Sequence, residues 1–140
     1  MKRLYQGFIT LVFLSFGCIA QEQGNKYAFI GHWVFSKHET IENFKNSEMT
    51  ETEVAEFSSI LKPAEIIITE KVYSGFLHGR TPTHTPYSII SVSDSGECYK
   101  LQLEDPRIPL DIQKHEVCII NNKLLLTSVK GAKEVFNKKL

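Results

Sequence analysis

Two segments in which apolar and polar residues alternate, each carrying one cysteine, place the strongest constraint on the fold. They are ECYKLQLE at residues 97–104 and HEVCII at residues 115–120. Such alternation is typical of strands with one buried face, and in both segments the cysteine lies opposite the apolar face. An antiparallel pairing that sets Cys98 opposite Cys118 also brings the two apolar faces together, with His115 among them. The sequence therefore predicts neighbouring strands joined by a disulfide, with two reduced thiols as the alternative.

Six further segments have the composition of β-strands, and the connections between most of them are short. They are residues 26–36, 64–69, 72–78, 87–92, 123–128 and 133–139. Asn121 and Asn122 separate two apolar runs, and asparagine tolerates the positive φ angles that a two-residue hairpin turn needs. Because no helical pattern alternates with these strands, the sequence predicts a mostly β fold, either an antiparallel barrel or a sandwich.

Residues 50–62 (TETEVAEFSSILK) differ from the rest, because their apolar residues recur at helical spacing. Thr50 followed by Glu53 forms a capping box, and Pro63 ends the pattern. A helix this short is stable only when its apolar side is packed. We therefore predict one short amphipathic helix after the first strand, covering the barrel wall or closing one end.

Residues 1–20 have the order of a secretory signal peptide: basic residues, an uncharged apolar run and a small residue, Ala20, at the end. The apolar run is too short to cross a bilayer. We predict cleavage after Ala20, which leaves one domain at residues 21–140, either periplasmic or secreted. The alternative is a lipoprotein cut before Cys18 and anchored to the membrane through it. Either route exports the domain to a compartment where disulfides persist.

The charge of the predicted mature domain is close to neutral. The full chain has 16 basic and 16 acidic residues, and removal of Lys2 and Arg3 leaves 14 against 16, a net charge of −2. This balance argues against nucleic acid as a partner. A domain of this length has one hydrophobic core, and we expect it to be a monomer.

A glycine and the only tryptophan, Gly31 and Trp33, lie two residues apart in the first predicted strand. Together with the order of the elements, this motif resembles the small bacterial lipocalin-like domains of the calycin group over most of residues 26–139. The resemblance implies an eight-stranded up-and-down barrel in which Trp33 packs across the closed end and Lys138 or Lys139 stacks on it. A tryptophan that is simply a core residue fits the same fold.

The resemblance also implies a binding protein rather than an enzyme, and the sequence has no catalytic triad, phosphate-binding loop or paired-carboxylate signature. A barrel open at one end would hold a small, mostly apolar molecule, with no cofactor and no metal. The residues expected to line the site are Tyr73, Phe76, Tyr87, Ile89, Tyr99, Leu101 and His115.

Three points leave alternatives open. His115 is either a core histidine with satisfied nitrogens or a ligand contact. His78 and His84 flank the segment GRTPT in a predicted loop, where solvated side chains are favoured over a metal site. The domain itself is either a carrier or a filled barrel that binds one protein, as a periplasmic inhibitor or immunity protein would. A cavity above about 300 Å³ that opens to solvent would distinguish the carrier.

Overall fold

The computed structural model describes residues 26–140, so the predicted signal peptide and Cys18 lie outside the described residues. Eight strands form a closed antiparallel barrel, in which each strand pairs with its neighbours in sequence and the last pairs with the first. The strands are β1 (Gly31–Phe35), β2 (Ala64–Ile68), β3 (Val72–Leu77), β4 (Thr83–Val92), β5 (Cys98–Leu103), β6 (Lys114–Ile120), β7 (Lys123–Thr127) and β8 (Lys133–Lys138). The helices are α1 (Lys37–Lys45), α2 (Glu51–Ile60) and the short α3 (Leu110–Gln113). The predicted up-and-down barrel is confirmed.

The predicted register of β5 and β6 is also confirmed. Cys98 lies opposite Cys118 with the Cα atoms 4.0 Å apart, and the two side chains form a disulfide. The same register sets Leu101 opposite His115 on the interior face of the barrel. The disulfide therefore links β5 and β6 on the face of the sheet opposite the barrel interior.

The hairpin between β6 and β7 has the predicted tight turn. Asn121 and Asn122 have φ angles of 52° and 60°, and the flanking residues Ile120 and Lys123 pair across the turn. Positive φ at both central residues is the geometry that matches the twist of the strands. The two asparagines thus set the register of β7 on β6.

Helix α2 begins with the predicted capping box. The Glu53 N–H donates to the Thr50 hydroxyl, and the Thr50 N–H donates to the Glu53 carboxylate at 2.8 Å. The same carboxylate pairs with Lys130, and these contacts lower the pKa of Glu53 to about 2, Lys130 contributing most. The start of α2 is therefore tied to the connection between β7 and β8.

Helix α1 is not predicted by the sequence pattern. Its buried residues are only Thr40 and Phe44, which do not form an apolar stripe. The Val135 N–H donates to the Thr40 hydroxyl at 2.9 Å, and the Lys133 N–H donates to the Asn43 side-chain carbonyl at 2.7 Å. These polar contacts hold α1 on the outer face of β8. The helix was not predicted because a search for hydrophobic periodicity does not detect polar contacts.

Strand β4 is longer than predicted. It begins at Thr83, so His84 and Pro86 belong to the strand and not to the preceding loop. Residues 83–86 pair with β3 and residues 87–92 pair with β5, so Pro86 lies where the strand changes partner. A proline lacks the N–H that a continuous ladder uses, and this position tolerates the loss.

The main hydrophobic core lies inside the barrel. Residues 26–30, predicted as the start of the first strand, form a turn instead, and this turn brings Phe29 into the barrel, where it is 0% exposed. A smaller cluster outside the barrel joins α1 and α2; its buried members are Phe44, Met49, Val54 and Ala132. Within residues 26–140, no helix has the length and apolar character needed to span a bilayer.

Candidate functional site

The two ends of the barrel are built differently. In an up-and-down barrel, the connections β1–β2, β3–β4, β5–β6 and β7–β8 all leave from one end. We call this the open end, and we call the opposite end, where the chain enters β1 and leaves β8, the closed end. The candidate site lies at the open end.

The closed end is a packed aromatic cluster. Trp33 is 1% exposed, and its indole N–H donates to the Phe29 carbonyl at 2.9 Å. The Lys138 ammonium lies 5.6 Å from the centre of the Trp33 ring, as the resemblance implied, whereas Lys139 instead pairs with Glu65 on the outer face. This end therefore has a structural role.

Four of the predicted lining residues face the interior but belong to the packed half. The Tyr87 hydroxyl donates to the Thr69 carbonyl at 2.7 Å, and the Tyr99 ring packs 4.6 Å from the ring of Phe29. Leu101 is fully buried, and Ile89 packs against the same core. These four side chains pack within the core and do not border the cavity described below.

Phe76 points away from the barrel interior, although it is among the residues that border the cavity at its mouth. It lies three residues from Tyr73 along β3, and side chains an odd number of residues apart on a strand point to opposite faces. Its ring lies 5.8 Å from the His84 ring on the outside of the barrel.

A cavity occupies the open end of the barrel. Its volume is about 300 Å³, it opens to solvent, and its walls are mostly apolar. Residues that border it include Ala64, Ile66, Tyr73, Gly75, Leu126, Glu134 and Phe136. A second cleft, of about 640 Å³, lies between this mouth and α2, and it shares Ala64, Leu77, Arg80 and Glu134 with the first. The lumen is thus solid at one end and hollow at the other.

Tyr73 and His115 meet across the barrel interior; Tyr73 borders the cavity, and His115 lies opposite the buried Leu101. They come from β3 and β6, which are not neighbours, and the Tyr73 hydroxyl lies 3.5 Å from His115 Nε2. This distance is the limit for a hydrogen bond, so neither group is held tightly. Burial, and secondarily the Glu134 carboxylate, raise the pKa of the Tyr73 hydroxyl, while burial lowers the pKa of His115. Both groups are therefore neutral near pH 7 and can donate or accept.

Glu134 completes the polar wall, and the sequence analysis missed it. It pairs with Leu126 in the β7–β8 ladder, and it lies two residues before Phe136, which is in the core, so its side chain faces the interior. Burial raises the pKa of its carboxyl. Among residues 26–140, no side chain or backbone N–H donates a hydrogen bond to this carboxylate. Glu134 shares one face of β8 with Phe136 and Lys138, and this two-residue period could have predicted that its side chain faces the interior.

The rim of the open end is cationic and apolar. Arg80 lies in the β3–β4 loop, and Lys62 follows α2; both border the cleft, and neither forms an ion pair with any residue that the structure describes. Exposed large apolar side chains are found on the connections and strand ends of this same end; they are Ile60, Leu77, Leu110, Ile112 and Val129.

The two histidines near the β3–β4 loop do not meet at a shared site. The ring of His84 hydrogen-bonds through Nδ1 to the Ser74 hydroxyl at 2.9 Å on the outer face of the barrel. His78 is exposed, and its backbone N–H donates to the Pro63 carbonyl at 3.1 Å. In the described part of the chain, no three histidine, cysteine or carboxylate side chains cluster as metal ligands would.

Comparisons with known proteins add no family name to this geometry. No protein-family model, no curated protein and no solved structure matches the chain. The closed barrel and the site at its open end are therefore the basis on which the function is inferred.

Proposed function

We propose that this chain is a non-enzymatic binding protein that holds a small, mostly apolar molecule in the open end of its barrel. The observation that supports the proposal most is the cavity of about 300 Å³, which opens to solvent inside an otherwise closed barrel. A pocket with apolar walls and a few convergent polar groups is the usual form of a small-molecule site.

The polar groups of the cavity support binding rather than a purely structural role. Buried polar groups that only stabilise a fold have partners within the protein. Trp33 and Tyr87 follow that rule at the closed end, with hydrogen bonds of 2.9 and 2.7 Å. At the open end, the Tyr73 hydroxyl and the His115 ring share one weak hydrogen bond of 3.5 Å, and no described group donates to the Glu134 carboxylate. Their hydrogen-bonding capacity is left for a ligand.

The proposal includes export and a lipocalin-like ancestry. Both rest on the sequence: the first on residues 1–20, and the second on Gly31, Trp33 and the order of the elements. The disulfide between Cys98 and Cys118 supports export, because such bonds persist in oxidising compartments.

A second candidate function is an exported inhibitor or immunity protein that binds one protein partner. The observation that favours it is the apolar rim, where Leu110 is 80% exposed and Ile112 is 58% exposed on α3. Exposed apolar residues gathered at one end of a domain are typical of an interaction surface. The two functions differ in whether the cavity itself is needed.

Ala64 offers a direct test, because it borders both the cavity and the cleft, and its side chain is small. We expect Ala64→Leu to lower the affinity for a neutral apolar dye such as Nile red by at least about tenfold, since the added carbons occupy the mouth. The matched control is Ala55→Leu on α2, an exposed alanine that borders neither space. Dye fluorescence titrations measure the affinities, and thermal unfolding verifies that both variants fold. Equal dye binding by the two variants would contradict a ligand site in the barrel.

A further inference from the structure

Among residues 26–140, Glu134 is the one strand carboxylate that faces the interior of the barrel. Its ladder neighbour Leu126 and its same-face neighbour Phe136 are both buried in the core. A carboxylate in such surroundings loses much of its hydration, and burying a charge is costly unless the charge is paired. The raised pKa of this carboxyl reflects that cost. Glu134 therefore carries a free energy penalty that a suitable ligand could relieve.

None of the described side chains that face Glu134 carries a positive charge that could pair with its carboxylate. From β3 comes the Tyr73 hydroxyl and from β6 comes the His115 ring, and both are neutral near pH 7. Leu126 on β7 is apolar. Two exposed basic side chains border these spaces: Arg80 borders both the cavity and the cleft, and Lys62 borders the cleft. Neither pairs with any described carboxylate, so the inward-facing Glu134 has no counter-ion among the described residues.

From this arrangement we infer that the cavity binds an amphipathic amine, a molecule with an apolar chain and a protonated amino group that pairs with Glu134. The inference rests on the proposed function and specifies its ligand class. The ammonium would donate hydrogen bonds to the Glu134 carboxylate and to the Tyr73 hydroxyl oxygen. The apolar chain would lie against the walls near Ala64, Ile66 and Phe136.

An anionic amphiphile fits this arrangement less well. Its headgroup could pair with Arg80 or Lys62 at the rim, but its chain would then enter the cavity beside an ionised and unpartnered Glu134. A neutral alcohol avoids repulsion and still leaves that charge without a counter-ion. Charge-assisted hydrogen bonds are about twice as strong as neutral ones, so the amine should bind most tightly of the three.

Three probes with the same chain test the inference: decylamine, decanol and decanoate, each below its micelle-forming concentration at pH 7. Isothermal titration calorimetry on the wild-type protein and on Glu134→Gln measures the affinities. We expect decylamine to bind the wild type at least about tenfold more tightly than decanol, and Glu134→Gln to remove that preference. Glutamine keeps the shape of the side chain and removes only the charge, so the fold should persist.

Glu116→Gln is the matched control. Glu116 lies on β6 with its side chain outside the barrel, where it contacts Thr127 and Lys133. It should leave the preference for decylamine unchanged. If decanol binds as tightly as decylamine, or decanoate binds best, the amine inference is wrong and the proposed function stands. If none of the three probes binds the wild type, the proposed function fails with it.

Discussion

The closed and open ends of this barrel are made by the same eight strands, yet the hydrogen bonding of their inward-facing polar groups differs. At the closed end, the Trp33 indole and the Tyr87 hydroxyl each donate to a backbone carbonyl, at 2.9 and 2.7 Å. At the open end, Tyr73 and His115 approach only to 3.5 Å, and no described group donates to Glu134. The polar groups of the closed end therefore contribute to the stability of the fold, whereas those of the open end are the ones that we propose contact a ligand.

Removal of Trp33 should have the largest effect on stability. We expect Trp33→Ala to lower the free energy of unfolding by about 3–5 kcal/mol, because it empties a large aromatic site at the closed end and leaves Phe29 without its indole partner. Urea denaturation measures the change. A loss below about 1 kcal/mol would show that the closed end is not the structural half of the barrel.

The disulfide should have the next largest effect. Cys98 and Cys118 are 20 residues apart in sequence, and closing a loop of this length restricts the unfolded chain. We expect the double variant Cys98→Ser, Cys118→Ser to lose about 2–4 kcal/mol in the free energy of unfolding. The mass of the wild-type protein before and after reduction shows whether the bond has formed. An unchanged denaturation midpoint in the double variant would refute its stabilising role.

Two tyrosines give a matched comparison of the ends. We expect Tyr87→Phe to cost about 1 kcal/mol, because the Thr69 carbonyl loses its donor. We expect Tyr73→Phe to cost under about 0.5 kcal/mol, because its contact with His115 is at the limit of a hydrogen bond.

Ligand affinity should show the reverse order for these two variants. Tyr73→Phe should weaken decylamine binding, whereas Tyr87→Phe should leave it unchanged. Chemical denaturation and calorimetry on the same protein preparations provide both measurements. If Tyr73→Phe costs more stability than Tyr87→Phe, the proposed division between structural and binding ends is wrong.

The smallest expected effect is on the pH dependence of stability. Burial raises the pKa of Glu134, so the folded protein binds this proton more tightly than the unfolded chain does. The free energy of unfolding therefore decreases as the pH rises from the ordinary value of 4.5 through the folded-state pKa, and the Glu134 contribution is most favourable below that window.

Glu134→Gln should remove this pH-dependent loss and slightly stabilise the protein at pH 7. His115 acts in the opposite direction: burial lowers its pKa, so its contribution is lost as the pH falls below the ordinary value of 6.5. Because His115 is present in both proteins, the difference between their pH profiles isolates Glu134. Parallel profiles would show that the Glu134 carboxyl is hydrated like a surface group.

Features with a local or pairwise cause were predictable from the sequence. The Thr50–Glu53 capping box and the Asn121–Asn122 turn depend on a few adjacent residues, and both are present. The register of β5 on β6 followed from one requirement, that the cysteines meet while the apolar faces coincide. A slip of one residue would have turned every side chain of the strand to the other face.

Features with a distant cause were missed or misplaced. Helix α1 is held by hydrogen bonds from the β8 backbone to Asn43 and Thr40, whose partners are 90 and 95 residues away in sequence. Glu134 was overlooked because a charged residue in a terminal strand is usually solvated.

By itself, the sequence determined the alternation of the strands, the partner of each cysteine and the turns that join neighbouring strands, because these depend on short-range sterics and on the two-residue period of a β-strand. Only the tertiary structure decided that one end of the barrel is filled and the other is hollow. That outcome depends on how side chains from β1, β3, β6 and β8 pack across the lumen. The space left between them is set by the combined volumes of residues that are far apart in the chain. The same closure decided that Tyr73 and Glu134 border one cavity and that the Tyr73 hydroxyl reaches His115, although no two of these three residues lie on neighbouring strands.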